Sequence, residues 1–241
     1  MRNKILIYGG FFVALVLGFW YFLFKDEDLS RSHLIVINAN IPDFSFINQD
    51  GKTITGKEVD GNVYVANYFF TTCKGICPKM NANMRRVYDQ YKNEPGFLIL
   101  SHTCMPETDS VPLLKAYETK MLGGNLVRND DGSYRIATID SPGKIVNHNW
   151  NFVTGDKTAL YKMARQGYMI DNNKPDSVQN ISDQFIHTQF FALVDKERRL
   201  RGIYDGLKDN EVIKLLDDIK GLLKEKVDHP RFMNGFSNNP N

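Results

Sequence analysis

Residues 5–24, ILIYGGFFVALVLGFWYFLF, are twenty consecutive uncharged positions with no polar face. In a helix rising 1.5 Å per residue such a run extends about 30 Å, the thickness of a bilayer hydrocarbon core. Arg2 and Lys4 precede it and the mixed-charge stretch KDEDLSR follows. Trp20 and Tyr21 lie near one end, where amphipathic rings favour the membrane interface. The pattern predicts an N-terminal transmembrane helix over 1–24, with the N-terminus cytoplasmic and everything beyond residue 25 extracytoplasmic, periplasmic in a bacterium. A cleaved signal peptide wants a shorter apolar core followed by small residues. Here the run ends in bulky aromatics, which favours a retained anchor.

Beyond it, residues 25–40 read as a linker. In IPDFSFINQDGKTIT, Phe44 and Phe46 alternate with polar neighbours up to an Asp50-Gly51 turn, which predicts a hairpin. NVYVANYFF, 62–70, is β-branched and aromatic without a charge, and predicts a central strand buried on both faces. A helix follows from about Pro78 to Asn93, with Met80, Met84, Val87, Tyr88 and Tyr91 on one side as core residues. GFLILSH, 96–102, predicts a second buried strand, and 109–121 a second helix. An inserted hairpin with a turn at Asp130-Asp131-Gly132 is expected within 122–147. WNFVT, 150–154, predicts a strand, and Asp156 the cap of a short helix ending near Gly167. TQFFALVD and RRLRGIYDG form a strand pair, and a last helix from Asp209 aligns Val212, Leu215, Ile219 and Leu222. Residues 228–241 read as a disordered tail. The domain therefore spans 41–227. Its strand–helix alternation predicts an α/β fold, a sheet with helices on both faces.

Composition changes this picture little. The chain is 42% hydrophobic with a net charge of +2. That balance lacks the basic excess that binding to nucleic acid requires. Neither a nucleophile elbow nor a Gly-rich phosphate loop is present, so hydrolytic and nucleotide chemistry are not indicated.

Cysteine usage is more informative. There are three cysteines, and two of them, Cys73 and Cys77 in TTCKGICPKM, stand four apart where the first buried strand meets its helix. Sites in open α/β sheets form at that edge. The helix N-terminus and Lys74 favour an anion, so a lowered thiol pKa is expected at Cys77. A loop containing Gly75 is expected to let both sulfurs face one external point. A thiolate is both the nucleophile of disulfide exchange and a ligand for a soft metal, so the pair fits a redox centre or copper. Among the five histidines, His33 falls in the linker and His229 in the tail. His102 and His148 remain, as does His187, which directly precedes the strand TQFFALVD and can reach the cysteine loop if that strand neighbours the first.

The segments YFFTTCKGICPKM, SHTCMPETDSVPLLKAY, WNFVTGDKTAL and FIHTQFFALVDKERRLRGIYDG resemble, in order and spacing, the Sco/SenC family over about 41–222. That resemblance implies a membrane-anchored thioredoxin-like fold, here with a mixed central sheet, an inserted β-hairpin and the N-terminal helix. It implies a copper-binding factor, one Cu(I) or Cu(II) per chain, whose partner is the cytochrome c oxidase subunit that carries the copper A site. The metal ligands fall on Cys73, Cys77 and His187, and Asp183 is a candidate to orient the imidazole. Lys74-Gly75 stands where the family has Pro-Asp, and Cys104-Met105-Pro106 where it has Val-Asp-Pro. Cys104 is thus a candidate resolving thiol or auxiliary soft ligand, or else a cysteine with no role at the site. The alternative function is a membrane-anchored thiol–disulfide oxidoreductase cycling Cys73 and Cys77. Against a general thioredoxin, no proline precedes residue 188, where such enzymes place a cis-proline; His187 stands there instead.

Overall fold

Val63–Phe69 (β3) forms the middle of the sheet because each of its seven residues is buried, as a strand covered on both faces requires. The computed structural model describes residues 2–24, 34–139, 145–171 and 188–226, and within the first helix the side chains of Lys4 and residues 7–22. The chain divides into two units, Met1–Arg31 and Ser32–Asn241.

The first unit is one helix, α1 (Arg2–Phe24). Its apolar side chains are exposed, Phe22 by 77%. Among the described residues no helix is long and apolar enough to cross a membrane. The predicted transmembrane span is therefore not met by the described residues.

In the second unit the elements follow in the order β1 (Ser45–Asn48), β2 (Thr53–Thr55), α2 (Gly56–Val59), β3, α3 (Cys77–Tyr91), β4 (Phe97–Thr103), α4 (Val111–Gly123), β5 (Asn125–Arg128), β6 (Tyr134–Ala137), β7 (Trp150–Thr154), α5 (Lys157–Lys162), β8 (Phe190–Val194), β9 (Leu200–Asp205) and α6 (Asp209–Lys224). The main sheet runs β2-β1-β7-β4-β3-β8-β9. It is mixed: β3, β4 and β7 are parallel to one another, and β8 joins β3 antiparallel. One face, including Val63, Val65, Phe69 and Ile99, packs against α3, α4 and α6 through Met80, Met84, Leu114 and Leu215. The other, including Tyr64, Ala66, Tyr68 and Leu100, packs against α5 and the turn after it through Leu160, Tyr161 and Tyr168. Alternate residues of β3 thus feed two cores, the reason its sequence shows no polar period.

The inserted hairpin forms as β5 and β6, paired apart from the main sheet. It is tied to α3, where the Arg86 guanidinium stacks 4.2 Å from the Tyr134 ring centre. Asp156 caps α5 by accepting from the Ala159 N–H at 2.8 Å. That helix then widens into a π-turn over Met163–Gly167, a feature the apolar period does not encode.

The linker expected over 25–40 is shorter at its C-terminal end. The Ile37 N–H donates to the Leu200 carbonyl at 2.8 Å, and Asn38 forms a bridge with Leu200. Arg201 donates to the Leu34 carbonyl at 2.7 Å. These residues extend the β9 edge and belong to the folded unit. The expected tail, 228–241, lies outside the described residues.

Candidate functional site

Two loops leave the C-terminal ends of β3 and β4, which run side by side with Phe69 opposite Thr103. After β3 the chain turns so that the Cys73 N–H donates to the Phe70 carbonyl at 3.2 Å. After β4 the Cys104 N–H donates to the Phe69 carbonyl at 2.8 Å. Adjacent carbonyls at one strand end therefore hold both cysteine-bearing loops. Helix α3 begins at Cys77 with Pro78 in its first turn, where a missing N–H costs nothing. No side chain caps it.

Between the loops lies a cleft of about 280 Å³, whose walls include Cys73, Cys77, Cys104, Tyr68, Phe70 and Thr188. All three thiols are free. Cys73 is half-buried, Cys77 is 4% exposed and Cys104 3%. Cys73 lies close enough to Cys77 to act on its titration.

The lowered pKa expected at Cys77 is not what the structure gives. Burial, reinforced by the hydrogen bond to Cys73 and the charge Cys73 would carry, pushes the Cys77 thiol up to about 12. Backbone hydrogen bonding at Phe70, just past the end of β3, and at Cys77 itself acts in the opposite direction and is outweighed. Burial also pushes the Cys104 thiol well up, with the neighbouring Cys77 and the Asp109 carboxylate adding to it. Cys77 and Cys104 consequently rest as neutral thiols, and such a thiol gives up its proton when a metal or an oxidant takes it.

Gly75 is not needed for the loop to form. Its φ is not positive, and a Cβ there would meet nothing within 4 Å.

His187 and Asp183 lie outside the described residues, as do His33 and His229. Thr188, directly after His187 in the chain, lines the cleft beside Cys73, Cys77 and Cys104. Among the described residues, no three Cys, His, Asp or Glu side chains converge as a metal site. Cys104 shares the cleft without completing such a set. His148 is exposed. His102 is fully buried, stacked on Tyr68 with ring centres 5.0 Å apart and edge-on to Phe46 and Tyr168. Its Nδ1 lies 3.3 Å from the Asn67 carbonyl. Burial pulls its pKa down to about 4, so it is a neutral core residue.

Asp109 was missed in the sequence. It is 1% exposed and joins the two loops: its Oδ1 accepts from the Thr71 hydroxyl at 2.6 Å, and its Oδ2 from the Thr71 N–H at 3.2 Å and the Thr103 hydroxyl at 2.5 Å. In the sequence it reads as an acid just ahead of a helix. Its partner Thr71, 38 positions upstream, becomes a neighbour only through the parallel pairing of β3 and β4.

Similar proteins were found at every level of comparison. The SCO1 protein homolog of Bacillus subtilis (strain 168) is 27% identical over 186 residues, 76% of this chain and 83% of that protein. The solved structure of BsSco, described as having a disulfide switch and as a member of the Sco family of cytochrome c oxidase assembly proteins, is 25% identical. The match covers 80% of this chain and 98% of that one, with a TM-score of 0.59. It makes the fold thioredoxin-like. Yeast Sco1 solved with copper bound shares the fold at 20% identity, over 81% of this chain and 94% of that one, with a TM-score of 0.52. The SCO1/SenC family model matches residues 37–126 and 137–224, interrupted over 127–136, most of the β5–β6 hairpin, and the chain belongs to the SCO1/SenC family.

Proposed function

We propose that this protein is a copper-binding assembly factor that delivers copper to, or prepares, the copper A site of a cytochrome c oxidase. The observation that carries the reading is the presence of Cys73 and Cys77 together on the wall of an apolar cleft at the sheet edge. Two adjacent thiols are a donor set suited to a soft monovalent metal, so the residues present fit Cu(I) as cargo. Membership of a family whose relatives include oxidase assembly proteins and a copper-bound structure supports it further. His187 is the third donor in this reading, and the place of Thr188 on the cleft wall supports it. Asp183 is assigned to orienting the imidazole. Transfer then proceeds by ligand exchange, as the client's cysteines replace Cys73 and Cys77 one at a time. The uncharged run 5–24 serves as the anchor that keeps the cleft on the extracytoplasmic surface next to a membrane-bound client.

A second reading, thiol–disulfide exchange with the client's cysteines, is favoured by the same pair of free thiols and by the disulfide switch described for BsSco. The two are mutually exclusive in time: copper needs both thiols reduced, and the disulfide removes the site.

The test is metal uptake by the reduced full-length chain in detergent. One Cu(I) per chain is expected, abolished by Cys73→Ser or Cys77→Ser. A Cu(II) form with a thiolate charge-transfer band is expected, weakened by His187→Ala. Copper uptake unaffected by either cysteine change would sink the assignment. Disulfide reductase activity that persists in His187→Ala supports the second reading. For the anchor, the full chain is expected in the membrane fraction and resistant to alkaline extraction, and a chain lacking residues 2–24 is expected to be extracted.

A further inference from the structure

Three free thiols in one cleft permit three pairings, 73–77, 77–104 and 73–104. Cys77 is the shared neighbour: it stands four residues from Cys73 in the same loop, and it lines the same cleft as Cys104. A cleft of this kind needs a device that keeps Cys104 from competing for Cys77.

Asp109 has the required placement. Through Oδ1 and Oδ2 it holds Thr71, two residues before Cys73, by both hydroxyl and N–H. Through Oδ2 it also holds Thr103, the residue before Cys104. The Thr103 hydroxyl oxygen accepts from the Met105 N–H at 2.9 Å, and the Asp109 N–H donates to the Met105 carbonyl at 2.9 Å. Cys104 is thus fastened on both sides, and one buried carboxylate sets the spacing between its loop and the Cys73 loop. Hydrogen bonds to a charged acceptor are about twice as strong as neutral ones, so this is a stiff brace.

We propose that Asp109 is a positioning residue that holds Cys104 apart from Cys77, so that oxidation of the cleft by a small-molecule disulfide closes the Cys73–Cys77 bond and leaves Cys104 a thiol. The inference rests on the reading of Cys73 and Cys77 as the working pair, and it does not depend on copper. In the step itself Cys73 or Cys77, as thiolate, attacks the small disulfide and expels one thiolate. The other cysteine then attacks the mixed disulfide and expels the second. Two electrons pass from the protein dithiol to the oxidant, and the two protons end on its two thiols.

The experiment oxidises the reduced full-length chain with oxidised glutathione and reads connectivity by mass spectrometry of a non-reducing digest. Wild type is expected to give the 73–77 bond. In Asp109→Ala the ratio of Cys104-containing disulfides to 73–77 is expected to rise by about tenfold or more, the scale of losing hydrogen bonds to a charged group. Asp109→Asn, which keeps one acceptor oxygen, should fall between. Thr71→Val, which removes only the hydroxyl donor, should shift the ratio in the same direction by less. Adding Cys104→Ser to Asp109→Ala should return the glutathione midpoint of the pair to the wild-type value, which a general loosening of the fold would not do.

Wild-type connectivity retained in Asp109→Ala and Thr71→Val overturns the proposal, as does a wild-type chain that already pairs Cys104. If Asp109→Ala fails to fold, unchanged connectivity in Thr71→Val is sufficient to overturn it. A wild type that closes 73–77 but takes up no Cu(I) defeats the copper reading and leaves this one standing. Cu(I) uptake with scrambled disulfides does the reverse.

Discussion

At Gly75 the structure removes a constraint that the sequence implies. A glycine between two cysteines invites the idea that only glycine can make the turn, yet its backbone is ordinary and its Cβ direction opens on empty space. Gly75→Ala is therefore expected to be neutral or stabilising by up to about 1 kcal/mol through the unfolded chain. Urea unfolding checks this, and Cu(I) stoichiometry should be unchanged. His102 makes the opposite case, a residue with a strong constraint and no role at the cleft. Its folded pKa, about 4, lies below the unfolded value of about 6.5. The unfolded chain therefore binds the proton first. Stability from the neutral imidazole is present above pH 6.5 and is lost as pH falls from there through 4, by about 3 kcal/mol in all. Urea midpoints at pH 7 and pH 4.5 should show the fall, and His102→Phe should flatten that slope at some cost in stability at pH 7.

At the scale of elements, the strands were the most legible part of the chain. Residues 63–69 and 150–154 stand out because a strand buried on both sides admits no charge, and both form where that pattern runs. Asp156 was legible as a cap because its partner is three residues away. Legibility failed where the deciding contact was distant or the period changed. The π-turn at Met163–Gly167 leaves no mark on spacing. The burial that raises the Cys77 thiol comes from the packed face of α3 and the sheet beneath, which outweighs the local signals of Lys74 and the helix start. Likewise Asp109 needs Thr71 brought alongside by strand pairing. The methionines of α3 were readable as core, and both Met80 and Met84 are fully buried. Met84→Ala should cost about 2–5 kcal/mol in urea unfolding by opening a cavity. Cu(I) stoichiometry should remain that of wild type, which separates a packing methionine from a ligand.

For the molecule as a whole, a bound cargo ion must count as stability, because it holds together loops that unfolding separates. Cu(I) at a thousandfold excess over its dissociation constant should stabilise the folded unit by about 4 kcal/mol. Thermal unfolding of the full chain with and without Cu(I) measures this, and Cys73→Ser should abolish the difference. The twin carbonyls at the tip of β3, those of Phe69 and Phe70, carry a last consequence. Strand register here is also a ruler for sulfur chemistry. A slip of β3 against β4 by one residue would reverse which side chains face each core, so the packing of both layers forbids it. The spacing between Cys104 and the Cys73 loop is thereby guarded by some of the most deeply packed residues of the protein as well as by the Asp109 brace.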